Sequence, residues 1–165
     1  MLTIVTGMPG CGVSSALDLF TADHPERAVV KVEQHLAVVG KEHVERFLGR
    51  SVQHAILLDL LLLPEPTLRA LWLLAIDSAV KEVHALRKNK EHVVLTMHAC
   101  WRLVSSTSFL SPINHPRLAE VMDGLSVDRV INLLDDLYDT VARLRGSNQL
   151  FSMSDQPIGI CLNAS

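Results

Sequence analysis

The chain of 165 residues has few aromatic side chains, few cysteines and no excess of positive charge. Aromatic residues make up 4% of the sequence and hydrophobic residues 48%, so the core of the protein must be mainly aliphatic. The formal net charge of −3 excludes the basic surface that is typical of nucleic-acid-binding proteins. The apolar run at residues 55–63 is interrupted by Asp59 and is too short to cross a membrane, so we interpret it as a buried helix. We therefore expect neither a nucleic-acid partner nor a membrane partner.

The three cysteines, Cys11, Cys100 and Cys161, are odd in number and widely separated. This pattern fits neither a disulfide framework nor the ligand spacing of a metal site. The N-terminus has no basic segment followed by an apolar one, as a secretory signal would have. These features predict a reduced, cytoplasmic protein. The length of the chain predicts one domain, residues 1–165.

A glycine-rich segment near the N-terminus is the most informative feature that is present. Residues 2–6, Leu-Thr-Ile-Val-Thr, predict a short buried strand that runs directly into Gly-Met-Pro-Gly-Cys-Gly-Val-Ser-Ser at residues 7–15. This is the strand, loop and helix-start pattern of a phosphate-binding P-loop, G-x-x-x-x-G-K-[ST]. Gly7, Gly12 and Ser14 occupy motif positions, but Val13 stands where the lysine is expected. The alternative interpretation is a Gly-Pro turn between a strand and a helix.

The chemistry of such a loop assigns a role to almost every residue in it. Backbone N–H groups that point inward, with the positive end of the following helix, can hold a polyphosphate, and a hydroxyl can bind its Mg²⁺. The predicted nucleotide-binding residues are Gly7, Gly10, Cys11, Gly12, Val13, Ser14 and Ser15. Ser14 is also the predicted metal ligand, so the expected cofactor is Mg²⁺ with ATP. By analogy with the removal of one preorganised donor, loss of the lysine costs about 3 kcal/mol in the transition state.

Strand-like and helix-like segments alternate along the chain, which predicts βαβ crossovers and a mostly parallel sheet. The fold class is therefore α/β, a three-layer P-loop fold with about five strands. The predicted strands are residues 2–6, 28–32, 93–97, part of 127–134 and 158–162. The predicted helices are residues 15–21, 33–49, 51–63, 67–87, 118–125 and 135–145.

Apolar residues at helical spacing predict which helix faces are buried. On helix 33–49 the predicted buried side chains are Leu36, Val39, Val44 and Phe47. Helix 67–87 carries the longest apolar stripe: Leu68, Leu71, Trp72, Ala75, Ile76, Ala79, Val80, Val83 and Leu86. We interpret this stripe as packing against the sheet.

The order of these elements resembles that of archaeal-type adenylate kinases over about residues 1–145. The resemblance includes the strand that leads into His-Ala-Cys-Trp-Arg at residues 98–102, and the last helix, which ends near Arg143. It implies a nucleoside-monophosphate-kinase-like fold and phosphoryl transfer from ATP to AMP. It also implies His98, Arg102 and Arg143 as candidate catalytic residues.

Several positions depart from this family's pattern. Thr96 stands where the family has an aspartate, residues 57–62 lack the arginine that grips a monophosphate, and residues 146–157 lack the lid arginines. Residues 146–165 are therefore atypical or truncated. Since phosphoryl transfer depends on cations around the transferred group, these losses predict weak or absent kinase activity. The alternative is a non-catalytic interaction module that uses apolar residues around 57–63 against a protein partner or a second copy.

The sequence allows two alternative roles for each of three side chains. His98, with Arg102, either contacts a ligand beyond the strand end or only packs behind the loop. Glu33 either contacts an acceptor nucleoside or is a carboxylate stabilised by a helix dipole. Cys11 is either a reactive thiol or a small residue that fills space in the loop.

Overall fold

The computed structural model describes residues 1–8, 10–49, 51, 57–102, 109–111 and 114–134. The strands predicted at 2–6, 28–32 and 93–97 and the helices predicted at 15–21, 33–49 and 67–87 are present within two residues of those positions. The helix predicted at 51–63 is described only as a short helix at residues 57–60, and the helix predicted at 118–125 ends at residue 121. The short strands at residues 101–102 and 109–110 were not predicted. The elements are β1 (Leu2–Gly7), α1 (Val13–Thr21), β2 (Arg27–Lys31), α2 (Val32–Leu48), α3 (Leu57–Leu60), α4 (Glu65–Leu86), β3 (His92–His98), β4 (Trp101–Arg102), β5 (Phe109–Leu110), α5 (Leu118–Val121) and β6 (Arg129–Leu133). The predicted helix 135–145 and strand 158–162 lie outside the described residues.

The main sheet has the strand order β2-β3-β1-β6, and every neighbouring pair in it is parallel. β4 and β5 form a separate antiparallel pair. The predicted α/β class and parallel sheet are confirmed, with four strands in the described part of the chain where about five were expected. Because β1 is an interior strand of the sheet, the loop that follows it lies in the middle of the carboxyl edge. Ligands of open α/β sheets bind at this edge.

Helices cover both faces of the sheet, which gives the predicted three layers. α1 packs on one face, where Leu17 contacts Val5 and Val94 in a small buried cluster. α2 and α4 pack on the other face around a larger cluster that includes Ile4 and Leu95. Each strand therefore places alternate apolar side chains in two cores, as strands covered on both faces require.

α4 confirms the predicted apolar stripe, because every member of the stripe is buried except Leu86, which is half-buried. α2 confirms Leu36 and Val44 as buried, whereas the prediction for Phe47 was wrong, since it is 54% exposed. The reason is the antiparallel packing of α2 on α4. His35, in the first turn of α2, contacts Ser78 and Glu82 of α4, whereas Gly40 lies near Leu71. Phe47, in the last turn of α2, therefore lies near the first turn of α4, where that helix begins. No helix in the described part of the chain is long and apolar enough to span a membrane.

The leucines at the end of the segment 57–63 belong to the core. Leu60, Leu61 and Leu63 are all buried, and Leu60 packs against Gly40 of α2. A side chain at position 40 would collide with Leu60, so this glycine is required by the close approach of the two helices. The predicted use of this segment as an exposed partner surface was therefore wrong at these three leucines.

Candidate functional site

Two glycines with positive φ shape the described part of the loop between β1 and α1. Gly10 (φ 87°) and Gly12 (φ 84°) are both in the left-handed region, which glycine adopts at little cost. The Cys11 N–H donates to the Met8 carbonyl at 3.2 Å, and the Ala16 N–H donates to the Gly12 carbonyl at 3.0 Å. The chain thus turns tightly from the strand into the helix. Alternation of left-handed and other backbone conformations creates concave N–H sites for anions.

The start of α1 is suited to an anion. The first N–H groups of a helix have no partner within it, and its dipole places partial positive charge there. Among the described residues of the first turn none is acidic, and Gly12, the N-cap, has no side chain to occupy these donors. Ser14 and Ser15 are exposed in the same turn. The exposed Ser14 hydroxyl fits Mg²⁺ that keeps most of its ligands as phosphate oxygens and water.

Close packing around position 7 leaves no room for a side chain there. A Cβ on Gly7 would lie 2.5 Å from Cys11 Sγ, 3.1 Å from Val13 Cγ2 and 3.1 Å from the Leu133 carbonyl. The Cys11 side chain therefore fills space against Gly7, which supports the interpretation of a small filler residue. Val13 is half-buried and packs on the cluster beneath α1. The position where a lysine was expected thus contributes apolar packing in place of charge.

Glu33 and His98 form a polar pair beside this loop. His98 ends β3 and pairs in register with Gly7, which ends β1. Glu33 lies in the first turn of α2, two residues after β2 ends. Its Oε1 accepts a hydrogen bond from the His98 backbone N–H at 2.8 Å and contacts the His98 Nδ1 at 2.7 Å. The side chains are only 18% and 26% exposed, so the pair is largely removed from solvent.

These contacts are compatible with either interpretation of His98 and of Glu33. His98 ends β3 in register with Gly7, and its ring and backbone N–H both contact the Glu33 carboxylate at the carboxyl edge of the sheet. Glu33 is a first-turn carboxylate of α2, and it contacts His98, the register partner of Gly7. A buried carboxylate next to an imidazole is a common arrangement for orienting a ring or a charge in a site.

The remaining predicted catalytic residues are the two arginines, Arg102 and Arg143. Arg102 lies in β4, four residues after His98 ends β3, and Arg143 lies outside the described residues. Thr96 is buried within β3, and the strand continues beyond it to His98. The described residues contain no group of three or more His, Cys, Asp or Glu side chains that could hold a metal ion.

Sequence reasoning missed two contacts between strand ends. The Glu33–His98 contact joins residues 65 positions apart, and the Thr6 hydroxyl donates to Asn132 Oδ1 at 3.0 Å across β1 and β6. The available signal was the position of each polar residue near the carboxyl end of a predicted strand. In a parallel sheet these ends meet at one edge, but only the strand order decides which ends are neighbours.

Comparisons with known proteins give a limited result. No family model and no curated protein matches the chain. Among solved structures, the chain is similar to shikimate kinase from Bacteroides thetaiotaomicron, with 12% sequence identity and a TM-score of 0.32. That match covers 91% of this chain and 97% of the shikimate kinase. At this TM-score the comparison carries no argument about the site or the reaction.

Proposed function

We propose that the chain binds the polyphosphate group of a nucleoside triphosphate, with Mg²⁺, at residues 7–15. The observation that carries the proposal is the loop itself. Two left-handed glycines precede a helix whose first turn lacks acidic residues among those described, and the loop follows an interior strand of a parallel sheet. Backbone N–H groups and a helix dipole are sufficient to hold a phosphate without a charged side chain.

Each residue of the loop has a part in this proposal. Gly12 and the first turn of α1 donate N–H groups to phosphate oxygens, and Gly10 supplies the left-handed turn that precedes them. The Ser14 hydroxyl ligates the Mg²⁺ that bridges the phosphates, and Ser15 makes a further contact. Gly7 and Cys11 act through packing that keeps the turn closed.

The reaction proposed for the site is phosphoryl transfer of the adenylate kinase type, weak or absent with AMP as acceptor. Transfer needs cations around the migrating phosphoryl group. Val13 supplies none, and Thr96 is a buried strand residue without a carboxylate. We therefore expect nucleotide binding to be retained better than turnover.

The direct test is calorimetric titration of the protein with ATP in the presence of Mg²⁺ and again with the metal chelated. We expect micromolar binding that weakens on chelation. Ser14→Ala should remove most of the dependence on Mg²⁺, and Ser15→Ala, its neighbour in the same turn, should keep it. Absence of binding to the wild-type protein with Mg²⁺ present would refute the proposal.

A second candidate function is a protein-binding module that associates with a second copy of itself. β6 favours it, because Val130 and Ile131 on this strand are 69% and 44% exposed. In the described residues β6 pairs only with β1, and an open strand edge can pair with another chain. A molar mass that rises with concentration, a melting temperature unaffected by nucleotide, and loss of association in Val130→Lys are the expected results. A monomer at all concentrations would exclude this candidate.

A further inference from the structure

His98 holds the Glu33 carboxylate in one orientation. Both hydrogen bonds that His98 makes to it, from the backbone N–H at 2.8 Å and through the ring Nδ1 at 2.7 Å, end on Oε1. These bonds do not use Oε2. A carboxylate that is fixed in one orientation and largely shielded from water is preorganised to accept a hydrogen bond from a third group.

The strand order places this carboxylate in a row with the phosphate loop. Because β3 lies between β2 and β1, the carboxyl edge carries the β2–α2 junction with Glu33, then His98, then Gly7 and the loop. The Ala99 N–H donates to the Gly7 carbonyl at 3.0 Å, which ties the end of β3 to the start of the loop. A molecule bound beside Glu33 would therefore lie next to the proposed position of the phosphates.

We infer that Glu33 is a catalytic residue that binds and deprotonates the hydroxyl group of an alcohol acceptor, and that His98 positions it. This inference rests on the proposed function, because the phosphoryl donor is the nucleoside triphosphate in the loop. The acceptor class is a neutral molecule with a primary or secondary hydroxyl, such as a nucleoside or a polyol.

The step is balanced without any further reactant. The hydroxyl proton moves to Glu33 Oε2 as the alcohol oxygen forms a bond to the γ-phosphorus of ATP. The bond between the γ-phosphorus and the β,γ-bridging oxygen breaks, and ADP leaves with that electron pair. The proton on Glu33 then passes to solvent, which restores the carboxylate.

The charge of Glu33 argues against a phosphate acceptor at this position. A monophosphate is already anionic at neutral pH, so it needs no base and is repelled by a nearby carboxylate. A hydroxyl is neutral and a poor nucleophile, so it gains from a base within hydrogen-bond distance. The low exposure of both side chains strengthens each effect.

The experiment uses ATP labelled in the γ-phosphate, Mg²⁺ and the full chain, with three acceptors in parallel: adenosine, glycerol and AMP. Adenosine and AMP differ only in the phosphate group. We expect label to move to adenosine or glycerol in preference to AMP. ATP binding is measured separately by calorimetry on the same preparations.

Variants separate the role of Glu33 from a structural one. Glu33→Gln should lower the transfer rate by about a hundredfold or more, as for removal of a general base, while ATP affinity stays within about twofold. Glu42→Gln is the matched control, since Glu42 lies on the same helix and is 76% exposed. For the positioning role, His98→Asn keeps a side-chain N–H near the place of Nδ1 and should restore much of the kcat that His98→Ala loses, with little change in KM for ATP.

The outcomes distinguish this inference from the proposed function. ATP binding with transfer to AMP alone, or with transfer to none of the three, overturns the inference and leaves the phosphate loop intact. Transfer to an alcohol that is unaffected by Glu33→Gln also overturns it. Absence of ATP binding overturns both.

Discussion

Replacing Gly12 with aspartate is the sharpest test of the phosphate loop. Gly12 is the N-cap of α1, has a φ of +84°, and has no atom within 4 Å of the position its Cβ would take. A side chain therefore fits there without collision, at the cost of a left-handed backbone of about 1 kcal/mol. Gly49 is a matched control, because its φ is +65° and the space around its Cβ is equally open.

The two substitutions place the same charge at opposite ends of two helices. At Gly12 the carboxylate would lie beside the positive end of α1, which offsets part of the strain by about 0.5 kcal/mol. At Gly49, the C-cap of α2, the carboxylate meets the negative end of a helix and adds about 0.5 kcal/mol to the cost. Gly49→Asp should therefore lower the free energy of unfolding more than Gly12→Asp does.

For nucleotide binding we expect the opposite order, with the larger loss of affinity in Gly12→Asp. Two unit charges about 4 Å apart repel by about 1 kcal/mol in bulk water and by about 4 kcal/mol at a dielectric constant near 20. The loop is half-buried, so we expect a loss of at least about 2 kcal/mol, or about thirtyfold in the Kd of Mg²⁺·ATP, for Gly12→Asp. Gly49→Asp should bind as the wild type does.

Calorimetry gives the Kd, and urea unfolding gives the stability of the same preparations. Gly12→Asp with wild-type affinity would refute the assignment of the phosphates to this loop. An equal loss of affinity in Gly49→Asp would show that the effect is a general consequence of destabilisation.

Three further predictions concern stability and are measured by urea unfolding. Leu71→Ala removes a buried side chain of α4 and should lower the free energy of unfolding by about 2–5 kcal/mol. Leu74 is 56% exposed on the same helix, so Leu74→Ala should lower it by less than about 0.5 kcal/mol. Equal losses in the two variants would contradict the packing of α4. Asp128→Ala removes the acceptor of the Leu2 N–H at 2.6 Å and should cost about 1–3 kcal/mol, with Asp128→Asn losing less. Backbone hydrogen bonding holds the pKa of Glu26 below its usual value. The small stabilising contribution of this carboxylate should therefore be present near neutral pH and lost as the pH falls through the lowered pKa. An unchanged acid unfolding curve in Glu26→Gln would contradict this.

The elements of the fold were predictable where local chemistry decides them. The stripe on α4 repeats at three and four residues, and its buried members follow that period from Leu68 to Val83. Gly49 ends α2 in the left-handed conformation that only glycine adopts freely. Both signals are carried by a few consecutive residues, so no knowledge of the tertiary structure is needed to read them.

Burial at the end of an element was not predictable in the same way. Phe47 has the same helical phase as Leu36, yet it is exposed because α4 does not extend past it. Leu60 and Leu63 were open to either interpretation, since an apolar run fits a core and a partner surface equally well. The contact between α3 and Gly40 decided for the core.

The sequence by itself determined the alternation of strands and helices, the left-handed glycines of the loop and the absence of a lysine at Val13, because each depends on residue type and short-range spacing. Only the tertiary structure decided that Glu33 meets His98 and that Cys11 fills the space beside Gly7. These contacts depend on which strand ends are neighbours in the order β2-β3-β1-β6. That order is a property of the whole packed sheet, to which residues far apart in the chain contribute together.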